Sequence, residues 1–291
     1  MSFATDDRNM LDEWLTVGPA RALDGASAAA PHAARLLGAT LALWRDAQGA
    51  VQCRLGDAPL LAQARYGHRW VCPSGAPARP LFAFPEHDEP GRRIVDCGGI
   101  GVATSGLRVI ENFLDMAHFP FVHPHLLGQL PHTEVREYRV ETDAASGELL
   151  ATGCRFWQPK SSAAASDGSE VVYRYRVMQP LSAMLYKSAY GRGDGALDAI
   201  ALFVQPLSEE RVVAHVLLAY LDDVTSTAEL IAFQQTIFGQ DKPILENHVP
   251  RRLPLDGRSE TATRADLTSV LYRRWLAARG LRYGAQPRAA A

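Results

Sequence analysis

The sequence predicts an α+β protein in which a small, mostly β unit precedes a larger unit of antiparallel strands and helices. Strand-like runs with apolar alternation are separated by turn signals, which is typical of an antiparallel sheet. These runs cover residues 133–142, 149–156, 171–178, 183–190, 199–206 and 211–221. Helical patterns lie around residues 111–118, at 225–247 and at 266–279, and predict helices beside the sheet.

The first hundred residues indicate the smaller β unit. The run 35–44 is followed by the turn sequence Asp-Ala-Gln-Gly and a second apolar run, which is a hairpin signal. Residues 66–73 form another strand-like piece, and the prolines after it indicate loops. We therefore expect a first unit at residues 1–95, a second unit at 96–285 and a flexible tail at 286–291.

Composition excludes two classes of partner. The chain has 291 residues, of which 47% are hydrophobic and 21% charged, enough for one large domain or two smaller ones. A formal net charge of -2 leaves no basic field for nucleic acid or an anionic membrane. The first residues are charged where a secretory signal would be apolar, and no apolar run could span a bilayer. We therefore expect a cytoplasmic protein.

One short segment after the first unit concentrates the polar side chains suited to chemistry. Asn112, Asp115 and His118 recur every three residues, so a helix would place them along one side. Pro120 then interrupts the helix and lets His123 turn towards His118. Burying these groups among phenylalanines is costly unless they satisfy one another or a metal ion. Two histidines facing one point form half of a metal site, and one carboxylate would complete a site for oxygen-activating iron.

The missing carboxylate must come from another segment, and Asp241 is the strongest candidate. It lies inside an apolar helical pattern. A solvent-facing Asp241 paired with Lys242 is the simpler alternative. Competing carboxylates are Glu246, Asp222 and Asp223, although the last two follow a strand in a turn, where aspartate is expected for backbone reasons.

The predicted substrate pocket lies between the sheet and the metal-binding segment. Side chains on strand-like runs that could face it are Met178, Met184, Tyr186, Phe203 and His215. Strand register decides which face each occupies, and core packing is the simpler interpretation of each. The helix at 225–247 has an apolar stripe, for which core packing is the simplest interpretation. That stripe contains Leu230, Ile231, Phe233, Ile237 and Phe238.

These motifs resemble the catalytic subunits of Rieske non-haem iron oxygenases, in the branch of vanillate O-demethylase, phthalate dioxygenase and N-demethylases. The spacing Asn-x-x-Asp-x-x-His-x-x-x-x-His at 112–123 looks like the family's motif position for position. The segment Gln-Asp-Lys-Pro-Ile-Leu-Glu at 240–246 is similar to its second ligand segment, and residues 253–256 and 272–276 match its C-terminal end. The resemblance implies a helix-grip catalytic domain after a Rieske-like β domain.

The resemblance also implies roles for individual residues. His118, His123 and Asp241 would bind a mononuclear Fe(II). Asp115 would orient His118 and carry electrons towards the iron. Asn112 would lie beside the open coordination positions.

One part of the family pattern is missing. Rieske domains hold a 2Fe-2S cluster through Cys-x-His and Cys-x-x-His. Neither spacing follows any of the four cysteines, which are Cys53, Cys72, Cys97 and Cys154. They also form no disulfide framework, so we expect reduced thiols. The first unit is therefore expected to be a truncated, cluster-less Rieske-like domain, similar to the cluster-less catalytic subunit of methylxanthine N-demethylases.

The resemblance implies a monooxygenase of EC 1.14 type that depends on a partner. Its reaction would be oxidative demethylation of an N- or O-methyl group, including that of a methylxanthine, or hydroxylation of an aromatic or heteroaromatic compound. O2 and NAD(P)H-derived electrons would be consumed, the latter delivered by a Rieske 2Fe-2S reductase or subunit. A homotrimer, or a hetero-oligomer with a related subunit, is expected.

Two other functions fit parts of the pattern. A catalytically inactive ligand-binding or scaffold subunit would also lack the cluster motif. Such a subunit has no physical reason to keep five polar side chains whose burial costs free energy, namely Asn112, Asp115, His118, His123 and Asp241. Two histidines and a carboxylate also suit a zinc hydrolase. The segment offers no general base such as the glutamate of His-Glu-x-x-His, which disfavours that interpretation.

Overall fold

The computed structural model describes residues 2–193, 195–257 and 259–286, in which the chain forms two antiparallel sheets. The first has six strands in the order β1-β6-β5-β4-β3-β2. They are β1 (Leu15–Pro19), β2 (His32–Leu36), β3 (Ala39–Arg45), β4 (Val51–Leu55), β5 (Ala58–Arg65) and β6 (His68–Cys72). Strands β3 and β4 form the predicted hairpin.

The second sheet has seven strands in the order β7-β13-β12-β11-β10-β9-β8. They are β7 (Arg93–Val102), β8 (Arg139–Thr142), β9 (Leu149–Gln158), β10 (Ser169–Gln179), β11 (Ser182–Ser188), β12 (Leu197–Ser208) and β13 (Arg211–Tyr220). The α-helices are α1 (Arg8–Leu11), α2 (Pro85–Asp88), α3 (Gly106–Leu114), α4 (Phe119–Val122), α5 (Thr227–Glu246) and α6 (Leu267–Ala278). Single 3-10 turns span Ala20–Leu23 and Arg264–Asp266. This arrangement confirms the predicted α+β class.

Strand β7 is the element that the sequence patterns missed. It crosses residue 95 and pairs with β13, so the second sheet begins at Arg93 rather than at residue 96. Its glycines weaken the strand signal. Only glycine fits at position 99, because a Cβ there would come within 2.7 Å of Val213 and 2.8 Å of His215. We therefore propose moving the boundary between the two units to a position before Arg93.

The long helix α5 follows from its local sequence. The Ser226 hydroxyl accepts a hydrogen bond from the Glu229 amide at 3.2 Å, and the Glu229 carboxylate accepts one from the Ser226 amide at 2.9 Å. This capping box satisfies two N–H groups that the first turn leaves free. The helix ends at Glu246, one residue before the end of the predicted range 225–247, and Asn247 is its C-cap. Its buried side packs against β7 and carries Asp241 and Leu245 inwards.

The two sheets pack against each other through an aromatic cluster. The rings of Trp70, from β6, and Phe203, from β12, lie 5.0 Å apart. The buried cluster also contains Met178, Met184 and Tyr186. His215 belongs to the same side, with its ring 5.2 Å from that of His68. Core packing, the simpler interpretation of these five side chains, therefore agrees with the structure: Met178, Met184, Tyr186, Phe203 and His215 face the first sheet.

The predicted flexible tail begins at a residue that the structure holds in place. The amide of Gln286 donates to the Leu253 carbonyl at 2.9 Å, so the first residue of the predicted tail is anchored. Residues 287–291, the rest of that tail, lie outside the described residues. Within the described part of the chain, no helix is both long and apolar enough to cross a bilayer.

Candidate metal centre

The segment from Asn112 to His123 is not the single helix that its spacing predicted. Helix α3 ends at Leu114, and Asp115 is extended, with φ −88° and ψ 141°. The Asp115 carboxylate accepts hydrogen bonds from the amides of Ala117 at 3.1 Å and His118 at 3.0 Å, which organises the next turn. Pro120 sits in the first turn of α4, where its missing N–H costs nothing, so it starts a helix instead of ending one.

The segment brings together the three side chains predicted as metal ligands. His118 Nε2 lies 3.2 Å from His123 Nε2. Asp241 Oδ1, from α5, lies 3.5 Å from the first of these nitrogens and 3.0 Å from the second. Among the described residues, His118, His123 and Asp241 are the one group of three or more histidine, cysteine or carboxylate side chains arranged to hold a metal ion.

Each histidine is oriented by a hydrogen bond to its other ring nitrogen. His118 Nδ1 lies 2.6 Å from Asp115 Oδ2, and His123 Nδ1 lies 2.8 Å from Gln240 Oε1. Both partner atoms are oxygens that accept, so each Nδ1 carries the proton and each Nε2 presents a lone pair. Gln240 is a residue whose role the sequence interpretation missed, although it precedes Asp241 in the segment that carries the resemblance.

The charge distribution supports this arrangement. Burial alone would raise the pKa of Asp115, but its hydrogen bond with His118 and the two amide N–H groups bring that pKa below its ordinary value. Asp115 is therefore a carboxylate, as an acceptor from His118 Nδ1 must be. The two histidine Nε2 atoms and Asp241 Oδ1 then form three acceptors facing one point.

This donor set fits a cation. Asp241 Oδ1 is buried and has no hydrogen-bond partner, although His123 Nε2 is only 3.0 Å away. With its proton on Nδ1, His123 cannot donate to that oxygen. An unpaired buried carboxylate oxygen beside two nitrogen lone pairs is costly, and a metal ion would relieve the cost at all three atoms.

The competing carboxylates are committed elsewhere. Glu246 accepts from the Ala103 amide at 2.9 Å and pairs with Lys242, which the simpler alternative had assigned to Asp241. Asp222 accepts from the Thr225 amide at 2.8 Å, as expected for a turn aspartate. Asp223 pairs with Arg192 at 2.9 Å.

A largely apolar cavity lies between the second sheet and the helices, and the three converging side chains form part of its wall. Asn112 lines it too. From α5 the wall includes Phe233, Ile237 and Phe238, which are half-buried, and Phe238 also packs against the buried core, as its pattern predicted. The strands contribute Tyr173, Tyr175, Leu185, Lys187, Ile200, Leu202 and Val216. The cavity lies where the substrate pocket was expected, and none of the five strand side chains that could have faced the pocket lines it.

A second, polar cavity lies on the outer side of Asp115 and His118. Its wall contains a buried charge network in which Arg108 donates to Glu260 at 2.6 Å and Arg273 donates to Glu111 at 2.9 Å. Burial raises the pKa of Glu111. Burial acts in the same direction on Glu260, but the hydrogen bonds to both arginines outweigh it and lower the pKa of Glu260 to about 2. The network ties α3 to α6 directly beside the outer face of the cluster.

Comparison with known proteins identifies the family. Residues 102–282 match the vanillate O-demethylase oxygenase C-terminal domain. A relative described as a probable methylxanthine N7-demethylase, NdmC from Pseudomonas sp. strain TJI-51, is 48% identical over 277 residues, which cover 94% of this chain and 96% of that protein.

Two solved structures share the fold at low identity. Pseudomonas putida CBB5 NdmA with caffeine superposes with a TM-score of 0.73 at 20% identity, covering 92% of this chain and 90% of that one. Dicamba monooxygenase bound to dicamba gives a TM-score of 0.69 at 14% identity, covering 94% and 98%. The domain match and the 48% identical relative show the family as well as the fold. The chain is a catalytic subunit that belongs to the vanillate O-demethylase-like branch of the Rieske non-haem iron oxygenases.

Proposed function

We propose that this protein is the catalytic component of a multicomponent oxygenase that removes an N-methyl group from a methylxanthine. In this proposal His118, His123 and Asp241 bind one Fe(II), and a separate Rieske protein supplies the electrons. The observation that carries it is the convergence of three acceptor atoms on one buried point, with Asp241 Oδ1 otherwise unpaired. The choice of substrate class rests on the relative that is 48% identical.

The chain's own residues would orient the metal ligands, position the substrate and exclude water from the cavity. Fe(II) bound at the cluster would supply the activation of O2. Asp115 and Gln240 hold the two imidazoles with their Nε2 atoms directed at the cluster. Phe233 and Phe238 give the cavity an apolar wall suited to a flat heteroaromatic ring. Oxidation of an N-methyl carbon gives a hemiaminal, which breaks down to the free N–H and formaldehyde.

An external electron donor is proposed because no cysteine offers a cluster ligand. The sequence lacks both cysteine and histidine spacings of a Rieske centre. All four cysteines are buried, and burial raises the pKa values of Cys53, Cys97 and Cys154 to about 12. Electrons that originate from NAD(P)H agree with a cytoplasmic location, which we retain as part of the proposal.

We propose that the donor docks over the second cavity. Asp115 and His118 line this cavity and keep 20% and 16% of their side chains exposed, so a partner there could come close to the Asp115–His118 pair. Ile244 lies in its wall and is 48% exposed, and Val249, beside the wall residue His248, is 91% exposed. Apolar side chains beside charged groups are typical of a protein interface.

The first test of the proposal is metal content combined with product analysis. Protein reconstituted anaerobically with Fe(II) is expected to hold about one iron per chain. Given O2, a methylxanthine and a competent Rieske reductase, it is expected to release formaldehyde. His118→Ala should lose both the iron and the formaldehyde.

Other outcomes would support the alternatives. Absence of metal after reconstitution would favour a catalytically inactive ligand-binding or scaffold subunit. Hydroxylation of aromatic carbons with no one-carbon product would exclude demethylation. Zinc with hydrolytic activity would favour a hydrolase.

The docking surface gives a separate prediction. Ile244→Glu and Val249→Glu are each expected to raise the KM for the Rieske donor about tenfold, because a buried charge at an interface costs about 1.4 kcal/mol or more. Iron content should not change. Val224→Glu is the matched control, since Val224 is 81% exposed but lies near the other end of α5. An unchanged KM for the donor in both variants would exclude this surface.

A further inference from the structure

The cavity beside His118, His123 and Asp241 contains a charged side chain that its apolar wall does not explain. Lys187, on β11, lines the cavity and is only 4% exposed. Its neighbours along and across the sheet on the same wall are Leu185, Ile200 and Leu202. Burying a lysine costs free energy unless its ammonium group finds acceptors, so its presence among aliphatic side chains needs a reason.

The protein itself satisfies only part of the hydrogen-bonding capacity of the Lys187 ammonium group. Lys187 Nζ donates one hydrogen bond, to the Ser161 carbonyl at 2.5 Å, and lies 5.6 Å from the centre of the Tyr220 ring. Asp198 faces Lys187 in the strand register, but its Oδ1 accepts from the Leu221 amide. Among the described residues, Lys187 forms no ion pair, and it makes one hydrogen bond where an ammonium group can make three. Burial lowers the pKa of Lys187, although the charges of Asp198 and Asp222 act in the opposite direction, so the compensation by these carboxylates is incomplete.

The position of Lys187 suits a ligand that also reaches the metal cluster. The Tyr220 hydroxyl accepts a hydrogen bond from Gln234 at 3.1 Å, so the Lys187 end of the cavity lies beside Gln234 of α5. Gln234 and Asp241 are seven residues apart on that helix. Two helical turns separate them by about 10 Å. A bicyclic heteroaromatic ring can therefore have one edge near Lys187 and a methyl group near the cluster.

We propose that Lys187 is a ligand-binding residue that donates a hydrogen bond to a ring carbonyl oxygen of the substrate. It thereby selects heteroaromatic rings with a lactam or imide carbonyl, and it helps to fix which methyl group reaches the cluster. The inference rests on the proposed function for the substrate class. It adds a recognition residue that the sequence motifs do not contain.

A structural role is the competing explanation, since Lys187 also anchors the buried carbonyl of Ser161 in the loop before β10. A purely structural lysine would affect all ligands of the cavity alike. A lysine that binds a carbonyl oxygen would affect only ligands that have one. The two explanations are therefore separated by a pair of ligands that differ in their ring carbonyls.

The test measures binding to the iron-loaded protein without O2, using 7-methylxanthine, which has two ring carbonyls, and 7-methyladenine, which has none. Lys187→Met is expected to weaken binding of 7-methylxanthine about 10- to 100-fold, the usual cost of a lost hydrogen bond from a charged donor. Binding of 7-methyladenine should change less than about threefold. Lys187→Gln, which keeps a neutral donor, should retain part of the preference and serves if the methionine variant does not fold.

The outcomes distinguish this inference from the proposed function. Equal losses for both ligands, or none for 7-methylxanthine, would overturn the role of Lys187 while leaving demethylation intact if the unmodified protein still releases formaldehyde. Failure of the unmodified protein to bind 7-methylxanthine at all would overturn both the role of Lys187 and the proposed substrate class.

Discussion

Replacing Asp241 by alanine is expected to abolish iron binding and to reduce formaldehyde release by at least about 100-fold. Loss of an outer-shell partner of a metal ligand already costs about 10- to 100-fold in metal affinity or activity, and Asp241 is proposed as a ligand. Without its carboxylate, the cluster retains only the two imidazoles, which carry no charge to balance a divalent cation. Iron content, measured on the purified and reconstituted variant, gives a readout independent of turnover.

Glu246→Ala is the matched control for that experiment. Glu246 is a carboxylate five residues later on the same helix, paired with Lys242 and bonded to the Ala103 amide. It should keep its iron and most of its activity, with at most a modest loss of stability. If Asp241→Ala kept one iron per chain and normal turnover, the third ligand would have to be sought elsewhere and the proposed site would be wrong.

Sequence patterns predicted elements whose periodicity is long and regular. The strands from β9 to β13 and helix α5 fall close to their predicted ranges because packing against one core imposes a repeat on each. Strand β8 covers only residues 139–142 of the predicted run 133–142. Strand β7 was missed since its glycines carry no side chain to show alternation. The period-three spacing from Asn112 to His118 is compatible with a helix, but it is equally compatible with a helix end at Leu114 and a carboxylate-capped turn after it.

The candidate site was predictable in its chemistry and less so in its surroundings. Histidines and aspartates are rare in apolar segments, so their presence marks a site whatever the local backbone does. Pocket residues on strands depend instead on register, because a shift of one residue moves a side chain to the opposite face. Tyr186 was suggested and points away, while its neighbours Leu185 and Lys187 line the cavity. The role of Gln240 depends on a contact 117 residues along the chain from His123.

A loss of stability in mild acid is the second large effect that we expect, and it comes from two buried histidines between the sheets. His68 and His215 are 1% and 5% exposed. Burial, more than any neighbouring charge, lowers the pKa of His68 to about 3 and that of His215 to about 4. Arg69 and Arg21 act in the same direction, and Asp96 opposes them.

The sign of the pH effect follows from which state binds protons. Both histidines titrate near 6.5 when the chain is unfolded, so below that pH the unfolded state binds more protons than the folded state. Their contribution to stability is complete above pH 6.5 and is lost as the pH falls towards 4. Each group contributes about 1.4 kcal/mol per pH unit, so the pair removes about 2.7 kcal/mol per unit. Because typical domains are stable by about 5–15 kcal/mol, unfolding near pH 5 becomes measurable.

Denaturant unfolding measured between pH 7 and pH 4.5, with a variant that lacks both groups, isolates this contribution. The variant should keep two hydrogen bonds. His68 Nδ1 lies 3.1 Å from the Thr16 hydroxyl, and His215 Nε2 lies 3.2 Å from the Gln205 amide oxygen. Substituting both histidines by glutamine preserves hydrogen-bonding ability without a titrating ring, so the variant is less stable at pH 7 but has a flatter acid slope. His125→Gln, which removes an exposed histidine away from the two sheets' shared core, should keep the wild-type slope. If the double variant lost stability with pH as steeply as the unmodified protein, acid unfolding would have to originate in the carboxylates, and the histidine pair would be only a packing element between the sheets.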